Sequence, residues 1–597
     1  MKQPVHILLL LLTFVISSAG TIALTFAPCY ATFCSEDYFE FETRLHILVY
    51  FGLVAGFGCF LLLRSYTTWA HTLSGYHLFR MPLGGKRVTV GGILACVWIL
   101  VVVASTTLFW LPAQRDFWGF RADPLGWASA KLKLTITGVT GHYADILLGL
   151  LVIPVSRNSL LGRGFSLHHS TLLYAHKIVA YLFSASATAH GVTYIAQLYA
   201  TDSSSEGDEA KEEAFATGNP AMTLSESKQR SEWFTMTTYT GIGAILPVWL
   251  IIITSLPWIR RNHYNFFYYN HVIFGLVIFI GACVHASTDF YLLLPGLFLW
   301  VADWACRLFG GQTGGIASKT GATLENAGSN WLRISTHLPV SKKDSGSTYD
   351  LVQEKGETLH EPLSYYYLSI PSLSKFQNHA FTAAVPASTR AGPTFLLQPT
   401  TGKKQTRLDK EWTWKLGALV PQVFESKAVE VRVEGPYSVG DDGFKTAAHI
   451  VCVVGGTGIT GALSLAAWWL EKRPANSTFT LVWAVRQREA STITEWTQLQ
   501  EVASSVPELT VVAHVSSESG RLDPTACIRG ALVVGQHTKV YPVGHAWVYG
   551  SGPAGLIGTV ERACVETQKG IIAGRGGRST DSWKVRDLGW YMAKWEV

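Results

Sequence analysis

Four histidines lie in two apolar stretches of the chain as two pairs that share one spacing. His176 and His190 form the first pair, His271 and His285 form the second, and fourteen residues separate the members of each pair. In an α-helix, fourteen residues rise about 21 Å and make about 3.9 turns, so both histidines of a pair lie on one face. Two such helices side by side would bring the four imidazoles together as two opposed pairs, one above the other.

Two opposed imidazoles at each level predict two b-type haems, each with histidine as both axial ligands. Neutral imidazole binds iron well, and a haem with two axial imidazoles keeps no open position, so it carries electrons rather than binding oxygen. The other interpretation is that these histidines are hydrogen-bonded residues of a helical bundle. Polar groups inside a membrane are costly and usually functional, and the repeated spacing favours haem. We expect His176 and His271 to bind the inner haem, and His190 and His285 to bind the outer haem.

The composition indicates a membrane protein with several domains. The chain has 597 residues, of which 48% are hydrophobic and only 15% are charged, and this is too apolar for an ordinary soluble protein. The net charge of +6 is modest and spread along the chain, so it does not favour nucleic acid as a partner. Residues 1–19 have the pattern of a secretory signal peptide, cleaved near Ala19 or Gly20. An uncleaved first transmembrane helix is the alternative.

Seven later segments are apolar over a length that can cross a bilayer. They are residues 46–63, 88–111, 132–154, 171–199, 236–256, 268–287 and 289–307. Arginine and lysine gather in alternate linkers, which predicts that those linkers are cytosolic, and the acidic, serine-rich linker 202–232 fits the outer side. This topology assigns residues 20–308 to a transmembrane domain and leaves the rest of the chain in the cytosol.

The second half of the chain changes to short segments of the kind that form antiparallel strands, such as Trp331–Ile334, Tyr365–Ile370 and Val429–Val433. A strand, His449–Val454, then leads into a glycine-rich turn and an amphipathic helix, Ala462–Glu471. Glycines let the backbone approach a pyrophosphate, and the helix N-terminus contributes free N–H groups and a favourable dipole. The turn residues expected to bind a nucleotide are Gly455, Gly456, Thr457, Gly458 and Thr460.

Two later features support a nucleotide site. A second strand, Thr478–Val485, is followed by Arg486, and an arginine there suits a 2′-phosphate, which favours NADPH over NADH. A plain surface arginine is the alternative. A later strand, Ala546–Tyr549, runs into another strand-to-helix turn, Gly550–Gly555, on the carboxyl edge of the same sheet, where ligands bind. The residues of this turn expected to contact the cofactor are Ser551, Gly552 and Pro553.

In its order of haem helices, barrel strands and nucleotide domain, the chain resembles the ferric reductase and NADPH oxidase superfamily, and most of all the fungal ferric-chelate reductases. The resemblance covers nearly the whole chain after residue 45. His379-Ala380-Phe381-Thr382 is similar to the family's HPFT flavin motif and follows Ile370–Lys375. Further similarities are those of Glu434–Tyr437 to an EGPYG segment, Gly455–Thr460 to a GGTGIT-type NADPH loop and Gly550–Gly555 to a GCGPxG turn.

The resemblance implies an α-helical transmembrane haem bundle, then a ferredoxin-NADP reductase-like β-barrel at residues 320–440 and an α/β nucleotide-binding domain at residues 447–597. It also implies that His379, Phe381 and Thr382 contact FAD. Ala380 departs from the family pattern, which has proline at this position. The absence of the proline is expected to loosen the turn but to keep the three flavin contacts.

Two further positions are expected to lie near the flavin. Ser551 replaces the family's usual cysteine beside the hydride path. We expect this change to slow hydride transfer but not to abolish it. In the family a C-terminal aromatic residue covers the flavin. The candidate here is Trp595, for which simple packing is an equal alternative.

The resemblance implies a transmembrane reductase of ferric or cupric chelates, located in the plasma membrane, that passes electrons from cytosolic NADPH through FAD and two b-type haems to the outer side. The cofactors carry this chemistry, so no catalytic side chain is assigned. One alternative is a superoxide-generating NADPH oxidase, and a second is a non-catalytic haem membrane protein. The sequence has no EF-hand loop, and the fourteen-residue step on both helices is more typical of the reductases. The partners are then the lipid bilayer and metal chelates, and the oligomeric state stays open.

Overall fold

The computed structural model of the chain divides into two compact units, residues 1–303 and 304–596. The structure describes residues 3–28, 30–31, 34–80, 87–121, 128–155, 160–165, 167, 169–202, 224–309, 319–337, 361–374, 377–388, 391–399, 411–437, 443–472, 476–534, 544–575 and 582–593. The finer predicted boundaries, 20–308, 320–440 and 447–597, stay predictions.

The first unit is a bundle of helices. Its apolar stretches fold as helices because a helix satisfies its backbone hydrogen bonds internally, as a bilayer requires. The helices up to the end of the bundle are α1 (Gln3–Leu24), α2 (Ser35–Tyr38), α3 (Glu40–Tyr66), α4 (Thr68–Gly75), α5 (Val90–Arg121), α6 (Ala128–Val152), α7 (Leu160–Phe165), α8 (His169–Asp202), α9 (Leu224–Thr254), α10 (Pro257–Asn262), α11 (Tyr264–His285) and α12 (Ser287–Phe309). A short hairpin of β1 (His77–Arg80) and β2 (Arg87–Thr89) precedes α5. Helix α6 packs along α8, and α9 packs along α11.

Seven helices in the described part of the chain are long and apolar enough to cross a membrane. They are Val5–Leu24, Glu40–Tyr66, Val90–Trp118, Lys131–Val155, Thr171–Gln197, Thr235–Thr254 and Tyr264–His285. Six of them coincide with predicted segments. The predicted segment 289–307 forms α12, which is not among the seven spans. Charges interrupt its apolar sequence, and two of them, Asp289 and Asp303, are buried within the bundle.

The N-terminal helix is continuous through the predicted cleavage point. Helix α1 includes Ala19 and Gly20 and ends at Leu24, and the Thr21 hydroxyl donates to the Tyr291 carbonyl oxygen of α12 at 3.1 Å. The signal peptide therefore stays a prediction, and the uncleaved helix stays its alternative.

The second unit begins with a six-stranded antiparallel sheet that curls into a barrel. Its strands are β3 (Lys319–Gly328), β4 (Trp331–Thr336), β5 (Tyr365–Ser369), β6 (His379–Thr382), β7 (Thr394–Leu397) and β8 (Ser426–Tyr437), in the spatial order β6-β5-β8-β3-β4-β7. A bridge between Val385 and Thr394 joins the chain after β6 to β7 and so links the two edges. A short helix, α13 (Trp412–Gly417), contributes Trp412 to the barrel core.

A five-stranded parallel sheet follows, as the strand-turn-helix pattern predicts. Its strands are β9 (His449–Gly455), β10 (Thr478–Val485), β11 (Leu509–Val515), β13 (His545–Ser551) and β15 (Asp587–Ala593), in the order β11-β10-β9-β13-β15. The remaining elements are β12 (Val533–Val534), β14 (Ser582–Trp583), α14 (Ile459–Lys472), α15 (Thr494–Ser505), α16 (Ser516–Ser519), α17 (Pro524–Leu532) and α18 (Ala554–Arg575). The predicted fold class, a helical bundle followed by a barrel and an α/β domain, is confirmed.

The barrel and the parallel sheet form one unit with a shared interface. Arg333 of β4 makes two hydrogen bonds to the Glu495 carboxylate of α15, at 2.7 and 3.0 Å. The Trp331 indole donates to the Ala490 carbonyl oxygen at 3.0 Å. Because both contacts are directional and one is a buried bidentate ion pair, they fix the orientation of the barrel relative to the nucleotide sheet.

Candidate cofactor sites

The four predicted histidine ligands meet in two pairs inside the bundle. In pair A, the ring centres of His176 (α8) and His271 (α11) are 6.2 Å apart, and in pair B those of His190 and His285 are 6.1 Å apart. An imidazole nitrogen binds a metal at about 2.0–2.1 Å and lies about 1.1 Å from its ring centre, so two imidazoles across one metal have centres about 6.2–6.4 Å apart. Each pair therefore has the spacing that a single iron between the rings requires.

Hydrogen bonds to neighbouring helices fix the outward nitrogen of every ring. The Nδ1 atom of His176 lies 3.1 Å from the Leu151 carbonyl oxygen, and that of His190 lies 2.8 Å from the Thr137 carbonyl oxygen. Both carbonyls belong to α6. A carbonyl oxygen only accepts, so Nδ1 carries the proton and Nε2 keeps the lone pair that a metal ligand needs.

The second helix of each pair is held in the same way by α9 and the residue that follows it. Nδ1 of His285 is 3.2 Å from the Thr240 hydroxyl, and Nδ1 of His271 is 3.4 Å from the Ser255 hydroxyl. All four rings thus have a partner on Nδ1. A partner on Nδ1 orients a metal-binding imidazole, and at His176 and His190, where the partner is a carbonyl oxygen, it also sets the tautomer.

Glycines make room for the rings of pair B. A Cβ added at Gly141 would lie 3.1 Å from Nδ1 of His190, and one added at Gly241 would lie 3.2 Å from Cε1 of His285. Both approaches are tighter than ordinary van der Waals contact, so a side chain at either position would push the ring aside.

Gly241→Ala is expected to weaken haem retention at pair B about tenfold, because loss of ligand orientation typically costs 10- to 100-fold in metal affinity. The measurement is the rate of haem transfer to an excess of a scavenging haem protein. Gly243→Ala is the matched control, because a Cβ there meets nothing within 4 Å. Equal rates for the two variants would contradict the assigned crowding of His285.

The predicted flavin residues lie on β6 beside a tryptophan that the sequence did not single out. The ring of His379 is 4.7 Å from that of Trp412, and the ring of Phe381 is 5.9 Å from it. The Nε2 atom of His379 is buried and has no hydrogen-bond partner. Burial lowers the pKa of His379, an effect that nearby Glu411 opposes, so the ring is neutral near pH 7. A buried nitrogen without a partner fits a group that hydrogen-bonds a bound cofactor.

The other two residues of the HPFT-like segment belong to the opposite face of β6. Thr382 pairs with Tyr365, and Ala380 pairs with Tyr367, across the β5–β6 ladder. The Tyr365 and Tyr437 rings stack at 5.3 Å. Directly paired residues share a face, so Thr382 belongs to the face that carries these tyrosines. Tyr365 and Tyr437 are buried in the core, whereas Tyr367 on the same face is half-buried and is the aromatic ring of this face that a flavin could contact.

The two glycine-rich turns of the parallel sheet contact each other through their backbones. Strands β9 and β13 are neighbours, and the strand order reverses between them, which is where ligands bind in such sheets. A Cβ at Gly458 would lie 2.6 Å from the Ser551 carbonyl carbon, and one at Gly552 would lie 2.6 Å from the Gly455 carbonyl oxygen. Gly552 also has φ of +131°. The structure therefore brings the two predicted nucleotide turns together.

The glycine-rich turn after β9 is hydrogen-bonded through one carbonyl oxygen and has free space beside Gly456. The Trp483 indole of β10 donates to the Gly456 carbonyl oxygen at 3.0 Å. Gly456 has φ of +53°, and a Cβ there would meet nothing within 4 Å. Thr457 lies in the same turn. Thr460 is the second residue of α14, and its hydroxyl donates to the Thr457 carbonyl oxygen at 3.2 Å. The helix N-terminus and the open turn make a backbone cradle of the kind that binds phosphate.

Arg486 directly follows β10 at the same edge and is exposed. Its backbone carbonyl accepts from Ser517 at 3.1 Å, which ties it to the end of β11. Arg488 donates to both carboxylate oxygens of Glu518, at 3.2 and 2.7 Å, and this hydrogen bond lowers the pKa of Glu518. Arg488 is thus engaged by Glu518, so Arg486 is the better candidate of the two arginines to bind a 2′-phosphate. Trp595 and Lys375 lie outside the described residues.

The residues that sequence analysis missed share one property, which is that their partners are distant in sequence. They are the backbone carbonyls of Thr137 and Leu151, the Thr240 and Ser255 hydroxyls, and Trp412. The two carbonyls are fourteen residues apart, like the histidines that they accept from, but a carbonyl has no side-chain signature. Gly141 and Gly241, which lie against the two rings of pair B, were the available signal in the sequence.

Comparison with known proteins points to one family. Residues 140–282 match the family model of the ferric reductase like transmembrane component, a range that includes His176, His190 and His271 and ends three residues before His285. Ferric reduction oxidase 2 of Arabidopsis thaliana is 25% identical over 341 residues, which are 56% of this chain and 39% of that protein. Ferric reductase transmembrane component 1 of Schizosaccharomyces pombe is 24% identical over 289 residues, which are 42% of this chain and 46% of that protein. The chain thus matches less than half the length of either relative.

A solved structure also resembles part of the chain. The cytochrome b5 reductase domain of Ulva prolifera nitrate reductase is 15% identical, and the alignment covers 42% of this chain and 96% of that domain with a TM-score of 0.29. At that score the likeness carries no argument about function.

Proposed function

We propose that this chain, whose family-model match and relatives support membership of the ferric reductase superfamily, is a transmembrane oxidoreductase. It would move electrons from cytosolic NADPH, through FAD and two b-type haems, to a ferric or cupric chelate on the outer side of the plasma membrane. The observation that carries the proposal is the geometry of the two histidine pairs. Their ring centres are 6.2 and 6.1 Å apart, and every Nδ1 atom has a hydrogen-bond partner.

The residues of the bundle would hold two haems at different depths. Fourteen residues separate the histidines on each helix, or about 21 Å of helix, against a bilayer core about 30 Å thick. The two histidine pairs would each hold one haem, which would supply one-electron transfer. The chain's part is to fix the ring orientation through α6 and α9 and to exclude water from both pairs.

The residues of the second unit would bind the electron donor. His379, Phe381 and Thr382 would contact FAD, which converts a two-electron hydride into single electrons. The turns that contain Gly458 and Gly552 would hold the dinucleotide backbone at the switch point of the sheet. No side-chain acid, base or nucleophile is required for these electron-transfer steps.

Arg486→Ala is expected to raise the KM for NADPH about ten- to a hundredfold while leaving NADH kinetics nearly unchanged. Hydrogen bonds to a charged group are worth about 1.5–3 kcal/mol, and a guanidinium can bind a 2′-phosphate with two of them. Steady-state kinetics with both nucleotides provide the measurement and its internal control. Equal weakening of NADPH and NADH would assign Arg486 a structural role instead.

The direct test of the proposed function is Fe(II) formation from a ferric chelate by membranes that contain the protein and receive NADPH. Ferrozine detects the product, with and without superoxide dismutase. We expect Fe(II) formation that superoxide dismutase leaves unchanged. Suppression by superoxide dismutase would identify an oxidase, and no NADPH-dependent product of either kind would contradict the proposal.

A further inference from the structure

A second group of buried ionisable side chains lies in the bundle and takes no part in the proposed electron path. It consists of His46 of α3, His142 and Asp145 of α6, and Asp289 of α12, which are between 0% and 7% exposed. Nitrogen and oxygen atoms of the first three lie within 4.8 Å of one another. We call these four residues the carboxyl–histidine cluster. Ionisable residues inside a membrane are rare and commonly belong to ion pathways or proton relays.

Asp145 is the hub of the cluster. Its Oδ2 atom accepts from the Thr288 hydroxyl at 2.8 Å and lies 3.3 Å from Nδ1 of His142. Asp289 follows Thr288 directly in α12 and is also buried. The carboxylate of Asp145 therefore faces His142 and Thr288 in a buried polar position where a proton can bind.

The hydrogen bonds around the two imidazoles argue against a metal ion. The Trp110 indole can only donate, and it donates to Nδ1 of His46 at 2.7 Å, so His46 carries its own proton on Nε2. The Trp118 indole donates to Oε1 of Gln114 at 3.1 Å, which turns the Gln114 amide nitrogen toward Nε2 of His142, 3.5 Å away. Neither ring has a free lone pair for a metal, whereas both can exchange protons.

The cluster is adjacent to pair B. His142 follows Gly141, and a Cβ at Gly141 would lie 3.1 Å from Nδ1 of His190. Asp145 is four residues further along α6, a rise of about 6 Å. An electron that arrives at pair B adds a negative charge on the order of 10 Å away, which at an effective dielectric constant of about 20 raises the proton affinity of the cluster about tenfold.

Three buried polar side-chain atoms lie in α2 and in the first turns of α3. Ser35 Oγ of α2 and Thr43 Oγ1 and His46 Nε2 of α3 are buried and have no hydrogen-bond partner. Thr43 precedes His46 by three residues, so both lie on one face of α3. Buried polar atoms of this kind normally bind water, and water bound at Thr43 and His46 would give a proton a route to the cluster.

Other titratable groups face the two carboxyls from each neighbouring helix. Those of the described residues that interact with Asp145 or Asp289 are His46, His142, His190, His285, Tyr30 and Cys283. None of these groups is a lysine or arginine, and a mobile proton is one means by which they can compensate the charge of an added electron.

We propose that the carboxyl–histidine cluster binds a proton from the solution on the pair B side about tenfold more tightly when an electron reaches a haem held by pair B, and that this gain is lost when the electron leaves. The proposal rests on the proposed haem function. Proton binding breaks one O–H bond of a water species and makes one O–H or N–H bond within the cluster, and it compensates part of the added negative charge. The electron comes from NADPH and the proton from water.

The test is a redox titration of the full chain at several pH values, in which the haem absorbance reports the degree of reduction. We expect two one-electron steps. The midpoint potential of one step should fall with rising pH by about 59 mV in total, which is equivalent to a tenfold change in proton affinity. Asp145→Asn is expected to abolish that fall and keep both haems. Asp303→Asn is the matched control, a buried carboxyl on α12 that lies fourteen residues from Asp289, and it is expected to keep the fall.

If Asp145→Asn lowers the haem content, Asp289→Asn in the same titration serves as the second variant, and a pH dye in weak buffer counts the protons bound on reduction of the unaltered protein. Two pH-independent steps, or a fall that both Asn variants retain, would overturn the proton site. One extra iron, copper or zinc ion per chain that Asp145→Asn removes would replace it with a metal site. A chain without haem would instead refute the proposed function itself.

Discussion

Replacing His190 or His285 with alanine is expected to halve the haem content, from two haems per chain to one, and to abolish reduction of an external ferric chelate. The two rings face each other at 6.1 Å, and one imidazole cannot replace both axial ligands of the site. The remaining haem at pair A cannot span a bilayer core about 30 Å thick. Reduction of a soluble dye by NADPH should persist, because it needs only the second unit.

The same expectation applies to pair A, where His176→Ala or His271→Ala should remove the other haem. His263→Ala is the matched control, since His263 is exposed and lies at the start of α11 outside both pairs. The readouts are the haem-to-protein ratio and the two reductase assays, run on the same preparation. Full chelate reduction in any of the four variants would exclude that histidine as a haem ligand.

Gly552→Ala is expected to lower NADPH-driven reduction about a hundredfold, both of the dye and of the chelate. A Cβ at this position would lie 2.6 Å from the Gly455 carbonyl oxygen, and φ of +131° disfavours any side chain. The two nucleotide turns must then separate, and a misplacement of about 1 Å at a reacting centre can cost about a hundredfold in rate. Haem reduction by dithionite should be normal, because the bundle is unaltered.

Gly555→Ala is the control for this variant. Gly555 lies in the same strand-to-helix turn segment, at the start of α18, and a Cβ there meets nothing within 4 Å. We expect it to keep nearly full activity. If both alanine variants are equally active, the contact between the two turns has no part in nucleotide binding.

Periodicity in the sequence was sufficient to predict the opposition of the histidines. Helical geometry puts residues fourteen apart on one face, and the burial of polar groups in an apolar helix demands a partner. His176 and His271 therefore could be matched without a structure. The strands around Gly455 and Ser551 were equally predictable, because a buried parallel strand followed by glycines leaves few other folds.

Contacts between helices distant in the chain could not be predicted in this way. The carbonyl of Thr137 accepts from His190 across 53 residues, and the carboxyl–histidine cluster gathers side chains from α3, α6 and α12. A backbone carbonyl leaves no trace in a sequence, and His46 or His142 alone resembles an ordinary bundle histidine. The segment 289–307 shows the same limit, because its hydropathy suggested a span while its buried aspartates face protein.

The most direct measurement is the haem stoichiometry and ligation of the purified full-length chain. Haem is extracted and counted against protein mass, and electron paramagnetic resonance reports the iron spin state. We expect two b-type haems per chain, both low-spin with two axial imidazoles. A ratio of one or zero, or a high-spin iron at either level, would contradict the assignment of pair A and pair B as haem ligands.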